Sequence, residues 1–406
     1  MSIFDDIDAV PWSQLHHAYG PATDVPLLLK TLMFPEEVSD EVAKQAEMAG
    51  RSVFEHVTWT LWGNVFHQGT VWQVTATTVP FFVEVLINGP DDPRQHEFLV
   101  TYLHHLALGY PDDIFPDVPD PDEEFAEVEG LTDSGEEPDY GSEEIDVRHL
   151  IWRRDSYAAV EGNIEAILPF VESESDAVSD AAIALCASFP RRSDITAPTL
   201  RSLAKSEGRK GAMATVSMSA LGDPETSRFA ENHVRSNDKL TSILGACATC
   251  LHQKHNVASN IPSILTNPLG DLGETQIAHA STLSTLVGRC LECVGPKHRE
   301  TAIDGICMQL AKANAMESLS LTDSLLTTVF SNGVPSKASE LSSIQRKAVE
   351  AIRDHGAFKV SAGTFGNYTE LLSGWRLPQS ADEIDRWLSE GNGRSQWKRL
   401  FDLVER

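Results

Sequence analysis

Apolar residues recur along this chain at intervals of three and four rather than in alternation, the period of helices that bury one face. The clearest instances share a phrase with proline near its start: "TDVPLLLKTL", "TTVPFFVEVL", "EAILPFVES", "ITAPTLRSL" and "SNIPSILTN". Proline is tolerated in a first helical turn, where its missing N–H would be unpaired anyway. Each phrase therefore predicts an apolar helix opening at its proline.

Second helices follow several of these, in "EFLVTYLHHLALGY", "VSDAAIALCASF", "KLTSILGACATCL" and "STLSTLVGRCLECV". Their Ala, Gly, Ser and Cys content suits close approach of helix axes. Two of them echo each other as "CATCLHQKH" and "CLECVGPKH", with first cysteines 43 positions apart, a spacing within the range of HEAT and armadillo units. Strand signals are thin; "GTVWQVTATTV" is the one passage whose branched and aromatic residues suit a short strand. The predicted fold is all-α, an α-solenoid of about seven irregular HEAT-like helix pairs.

An acidic passage interrupts this array: residues 111–147 carry sixteen Asp and Glu and no Lys or Arg. Its charge and prolines predict a long, partly disordered loop. The expected organisation is N-terminal HEAT-like repeats over 1–110, the acidic insertion over 111–147, central repeats over 148–335 and a helical cap over 336–406. In the cap, Ser380 is placed to open a helix with Glu383 three residues on.

Two blocks, "WSQLHHAYGPATDVPLLL" and "NVFHQGTVWQVTATTVPF", resemble those of an actinobacterial and fungal group of HEAT-repeat, armadillo-type proteins, a class that includes the phycobilisome-lyase-like repeats. The resemblance covers roughly the first 110 residues and returns near "QRKAVEAI" and "GWRLP". It implies an architecture, not an activity.

Charge narrows the partners. The net charge is −28, and without residues 111–147 it is still −12, with 44 acids against 32 bases. Phosphate binding needs clustered Lys and Arg, and "IWRRD" and "FPRRSD" are too short for that, so neither nucleic acid nor an anionic membrane is an expected partner. No stretch reaches eighteen apolar residues, the N-terminus lacks a basic signal-peptide region, and the six cysteines lie in apolar surroundings, which together predict a cytoplasmic chain with reduced thiols.

Seven of the fourteen histidines precede residue 106: His16, His17, His56, His67, His96, His104 and His105. Such crowding can serve acid–base work or metal binding. Only one His–Glu pair exists, His96–Glu97, where deoxyhypusine hydroxylase, a HEAT-repeat di-iron enzyme, needs a full set, so that activity is excluded. The polar stretch "GNVFHQGTVW" reads first as a turn whose side chains cap helix ends, with Gly20 and Gly69 ending helices in a left-handed conformation. Its rival is a pocket in which His67 carries a proton while Gln68, Asn64 and Tyr19 orient a ligand.

Cys247, Cys250, Cys290 and Cys293 raise a parallel choice between buried core thiols and a tetrathiolate zinc site with His255 and His298 as spare ligands. Their helical, apolar setting favours core thiols. No P-loop, dinucleotide fingerprint or nucleophile elbow occurs, so no cofactor is expected. The reading that follows is a noncatalytic scaffold or adaptor holding another protein, one with a basic surface if the acidic insertion recruits it, on the concave face of the repeats. The alternative is a lyase, isomerase or cyclase on the same scaffold.

Overall fold

The computed structural model describes residues 2–109, 120–133, 144–258, 260–267, 269–278, 281–361 and 363–390. The chain is mostly helical and forms two compact units, Met1–Leu203 and Ala204–Arg406, a division that falls inside the stretch 148–335. Among the described residues no helix is long and apolar enough to cross a membrane.

The first unit runs β1 (His16–His17), β2 (Gly20–Pro21), α1 (Val25–Met33), α2 (Asp40–Met48), α3 (Val53–Asn64), β3 (Phe66–His67), β4 (Thr70–Val71), α4 (Thr75–Asn88), α5 (Pro93–Leu108), α6 (Pro121–Glu124), α7 (Glu144–Gly162), α8 (Ile164–Ile167), α9 (Asp176–Ala187) and α10 (Ser193–Leu203). Its core gathers around Tyr102 of α5, fully buried, whose ring meets Phe82, Phe98 and Trp62 at 5.1 to 5.3 Å. The Tyr102 hydroxyl donates to the Leu61 carbonyl at 2.6 Å, so the one polar atom of this ring is paired.

The second unit runs α11 (Arg209–Ala220), α12 (Thr226–Val234), α13 (Lys239–Gln253), α14 (Asn260–Leu265), β5 (Gln276–Ala278), β6 (Ser281–Thr282), α15 (Leu283–Glu292), α16 (Arg299–Leu310), α17 (Ala315–Val329), α18 (Ser343–His355), β7 (Lys359–Val360), β8 (Gly363–Thr364), α19 (Gly366–Gly374) and α20 (Ala381–Glu390). Here α11 packs on α13, α13 on α15 and α15 on α17, while α14 packs on α16 and α16 on α18. A small residue permits such closeness between α15 and α17, where a Cβ on Gly288 would lie 2.6 Å from Leu321 Cδ2. The echoed cysteine segments also match in form, since α13 and α15 are each followed by a 3-10 turn, at Lys254–Asn256 and Pro296–His298. The expected Ser380 cap is present, its hydroxyl accepting the Glu383 N–H at 3.3 Å.

Three sequence expectations need correction. The proline phrase opens a helix at Pro26 but lies inside α4 at Pro80 and inside α10 at Pro198. In α4 the cause is Thr75, whose hydroxyl donates to the Val65 carbonyl at 2.7 Å and accepts the Trp72 N–H at 2.8 Å. That anchor adds a helical turn ahead of the proline. Second, the passage "GTVWQVTATTV" contributes only Thr70–Val71 as strand, and its remainder from Thr75 is helix.

Third, Gly20 and Gly69 do not end helices. They build hairpins: His16 pairs Pro21 and His17 pairs Gly20, while Phe66 pairs Val71 and His67 pairs Thr70. In the second hairpin the two turn residues, Gln68 and Gly69, both have positive φ, 49° and 89°, as a tight two-residue turn between twisted strands requires. Among the described residues each of the four antiparallel strand pairs, β1–β2, β3–β4, β5–β6 and β7–β8, lies just ahead of a helix.

Candidate functional site

The two N-terminal hairpins are tied to each other. The Ala18 N–H donates to the Asn64 carbonyl at 3.0 Å and the Val74 N–H to the His16 carbonyl at 3.1 Å. Gln73 Oε1 accepts the His16 backbone N–H at 3.0 Å and lies 3.3 Å from His16 Nδ1. The blocks "HHAYG" and "NVFHQGT" thus form one structure, in which their polar side chains largely serve one another.

His17 shows how this limits chemistry. Its Nε2 lies 3.0 Å from Asp24 Oδ1, which resembles a carboxylate–histidine pair built for proton transfer. However, its Nδ1 accepts the Tyr19 backbone N–H at 3.0 Å, so Nε2 carries the proton given to Asp24 and neither nitrogen is left for a substrate. Burial pushes the Asp24 carboxyl up, but its bonds from His17 and from Asn64 Nδ2, the latter at 2.7 Å, outweigh this and hold it below the ordinary range. Asn64 is therefore turned to Asp24 and not to His67.

His67 and Tyr19 do meet. Their rings stand edge to face at 5.2 Å, and the Tyr19 oxygen lies 3.2 Å from His67 Nδ1. The same nitrogen donates to the Gly63 carbonyl at 3.0 Å. Gln68 is exposed at the turn. Of the four proposed pocket residues, the fold pairs only His67 with Tyr19. Replacing His67 by Ala removes one half-buried hydrogen bond and an edge contact, for an expected loss of about 1 kcal/mol in thermal or urea unfolding; unchanged stability would contradict its role as a fastener.

The remaining N-terminal histidines are also engaged. His104, fully buried, lies 2.9 Å from Ser188 Oγ, and burial pushes its pKa down to about 3. His105 Nδ1 donates to the Gly109 carbonyl at 3.0 Å, with a pKa pushed by burial to about 4. His56 Nε2 approaches Gln45 Oε1 at 3.4 Å, and His96 stands edge-on to Phe170 at 5.2 Å. A cleft of about 730 Å³ lies instead in the second unit, lined by residues such as Lys205, Arg228, His233 and Arg235.

The structure brings the four paired cysteines to the α13–α15 interface. Cys247, Cys250 and Cys290 are buried and Cys293 is half-buried, and the Cys290 thiol donates to the Cys247 carbonyl at 3.7 Å. Burial raises the Cys250 and Cys290 thiols well above their ordinary range, which keeps them protonated and unreactive. Among the described residues no group of three or more His, Cys, Asp or Glu side chains is arranged to hold a metal ion.

Two features escaped the sequence reading. The first is exposure: Tyr19 is 67% exposed, Trp59 65% and Met48 78%. The Arg51 guanidinium lies 4.3 Å from the Trp59 ring, and Gly63, one turn beyond Trp59 on the same face of α3, opens onto free space. Trp62 and Trp72 pack inward, as tryptophans usually do; Trp59 does not.

The second feature is Asp133, at the end of a described piece of the acidic passage. Its carboxylate accepts from Arg148 Nε at 2.8 Å, Gln73 Nε2 at 2.9 Å and Trp152 Nε1 at 3.0 Å. Through Gln73 it reaches His16 and the first hairpin. One aspartate among sixteen acids gives no sequence signal for such a role; the arginine-rich start of α7 is the only hint. Comparison of the chain with family models, curated proteins and solved structures finds no match.

Proposed function

We propose that this protein is a noncatalytic interaction protein, built of HEAT-like helix pairs, that holds a protein partner on the face carrying Tyr19, Trp59, Met48 and Arg51. The carrying observation is the exposure of Tyr19 and Trp59 beside His17, whose two ring nitrogens are both engaged, and His67, whose Nδ1 donates to the Gly63 carbonyl. Large aromatic side chains beside an arginine are the residues that anchor protein interfaces.

The packing of α11 on α13, α13 on α15 and α15 on α17, with α14, α16 and α18 as a second row, supports a two-row repeat array in the second unit. That agrees with the HEAT-repeat resemblance of the N-terminal blocks. A cytoplasmic setting accords with the six free cysteines.

Affinity capture from native lysate at low and high salt tests the proposal, using the unaltered chain beside a Tyr19→Ala/Trp59→Ala variant. A stoichiometric protein retained by the first and lost by the second is the expected result. Equal capture by both would remove the face from the account. Copurification of a small molecule without any protein would favour the lyase, isomerase or cyclase reading.

A further inference from the structure

Residues 120–133 lie across arginines drawn from both of the chain's basic knots. Glu124 pairs with Arg153 at 2.5 Å, Asp122 pairs with Arg191, and Arg154 Nη1 donates to the Val128 carbonyl at 2.5 Å. Asp133 closes the far end on Arg148 at 2.8 Å. Beneath the segment is an aromatic floor: the Phe125 ring stands 5.7 Å from Tyr157, which stands 5.0 Å from Phe189. In a chain with 60 acids against 32 bases, the Arg153 and Arg191 guanidinium groups that meet this segment give it a local positive edge, while Arg154 is also paired with Asp155 at 2.6 Å.

The segment is weakly built. Its α-helix has four residues, too short to persist alone, and is followed by a three-residue 3-10 turn at Ala126–Val128. Its backbone–backbone hydrogen bonds, such as Phe125 N–H to the Pro121 carbonyl and Leu131 N–H to the Val128 carbonyl, stay within the segment. Only Pro121, Phe125 and Val128 are buried, while Asp122 and most of its neighbours face solvent. Exposed ion pairs of the Asp122–Arg191 kind contribute little and are screened by salt.

We propose that residues 120–131 are a displaceable strap, hinged at Asp133, and that the groove beneath them binds an acidic peptide segment of another protein that carries an aromatic residue. The strap is the intramolecular stand-in for that ligand: Asp122 and Glu124 supply the charges read by Arg191 and Arg153, and Phe125 fills the place over Tyr157. This surface is independent of the Tyr19–Trp59 face, and its partner has the opposite charge from the basic one expected of the acidic insertion. Arg148 and Trp152 stay with Asp133, so lifting the strap leaves the first hairpin's anchor in place.

The test uses a fluorescently labelled peptide PDEEFAEVEG, the strap's own sequence, titrated against the full chain and against a Asp122→Asn/Glu124→Gln/Phe125→Ala variant. Removing the internal competitor raises the competent fraction, so the variant is expected to bind at least about tenfold tighter than the unaltered chain, and less so as salt rises. Adding Arg153→Ala and Arg191→Ala to the variant is expected to abolish binding. A folded variant that binds the peptide no better than the unaltered chain overturns the proposal. Hydrogen exchange on the unaltered chain gives a second readout that needs no variant. Amides of residues 122–131 exchanging roughly a hundredfold faster than those of α7 support a strap that opens, whereas protection equal to α7 makes it a fixed part of the core.

Discussion

Lowering the pH from 7 to 5 is expected to remove about 4 kcal/mol of stability from the first unit, about 2 kcal/mol for each of two histidines. His104 and His105 are buried, and burial holds their pKa values at about 3 and about 4, against 6.5 for a free ring. In that interval the folded chain keeps both rings neutral while the unfolded chain protonates them. The unfolded state therefore binds more protons, so stability that is complete above about pH 6.5 is lost as the pH falls toward the folded values. Urea unfolding at the two pH values measures the loss, and His104→Gln should halve it. A stability unchanged between pH 7 and pH 5 would mean that the rings are reached by water.

Replacing Asp133 by Ala is expected to cost about 3 kcal/mol, because it strips a nearly buried arginine of a carboxylate that pairs with it at 2.8 Å. The Arg148 and Asp133 side chains are 7% and 12% exposed. The same change leaves Trp152 Nε1 and Gln73 Nε2 without their acceptor. Burial raises the Asp133 carboxyl, but the hydrogen bonds from Trp152, Arg148 and Gln73 together hold it below its ordinary value of 3.8. Its contribution is thus present above about pH 4 and lost as the pH falls through the folded value. Asp133→Asn keeps one acceptor oxygen and should lose less; urea unfolding at pH 7 ranks the two. Equal stability of Asp133→Ala and the unaltered chain would show that the anchor is dispensable.

These two effects come from residues that the sequence shows unequally. The helices α5, α9, α13 and α15 are legible because each repeats its apolar residues over about three turns or more, long enough for the period to register. The hairpins are not, since a two-residue strand has no alternation to read, and the positive φ of Gln68 is a property of the turn and not of glutamine. Pro80 was misplaced because one hydroxyl, that of Thr75, extends α4 backwards. The histidine crowding was legible as a fact but not in meaning: burial makes His104 and His105 neutral fasteners, and a backbone N–H occupies His17.

The candidate face was harder still. Trp59, Trp62 and Trp72 are equivalent in composition, and only the packing of α3 against α5 decides that Trp62 meets Tyr102 while Trp59 meets water and Arg51. Of the acidic passage 111–147, residues 111–119 and 134–143 lie outside the described residues, and in the described part the average hides individual pairings. Its charge describes a solvated loop, yet Asp122, Glu124 and Asp133 are paired one by one with Arg191, Arg153 and Arg148. Pairing is a property of positions, and composition does not carry it.

The central claim, that this protein binds another protein and is not a catalyst, is tested most directly by native mass spectrometry of the chain isolated gently from its own host. The account predicts a complex with a second polypeptide at fixed stoichiometry, absent when Trp59 is replaced by Ala. A chain that flies alone with a bound small molecule, with or without Trp59, would contradict it and turn attention to an enzymatic site.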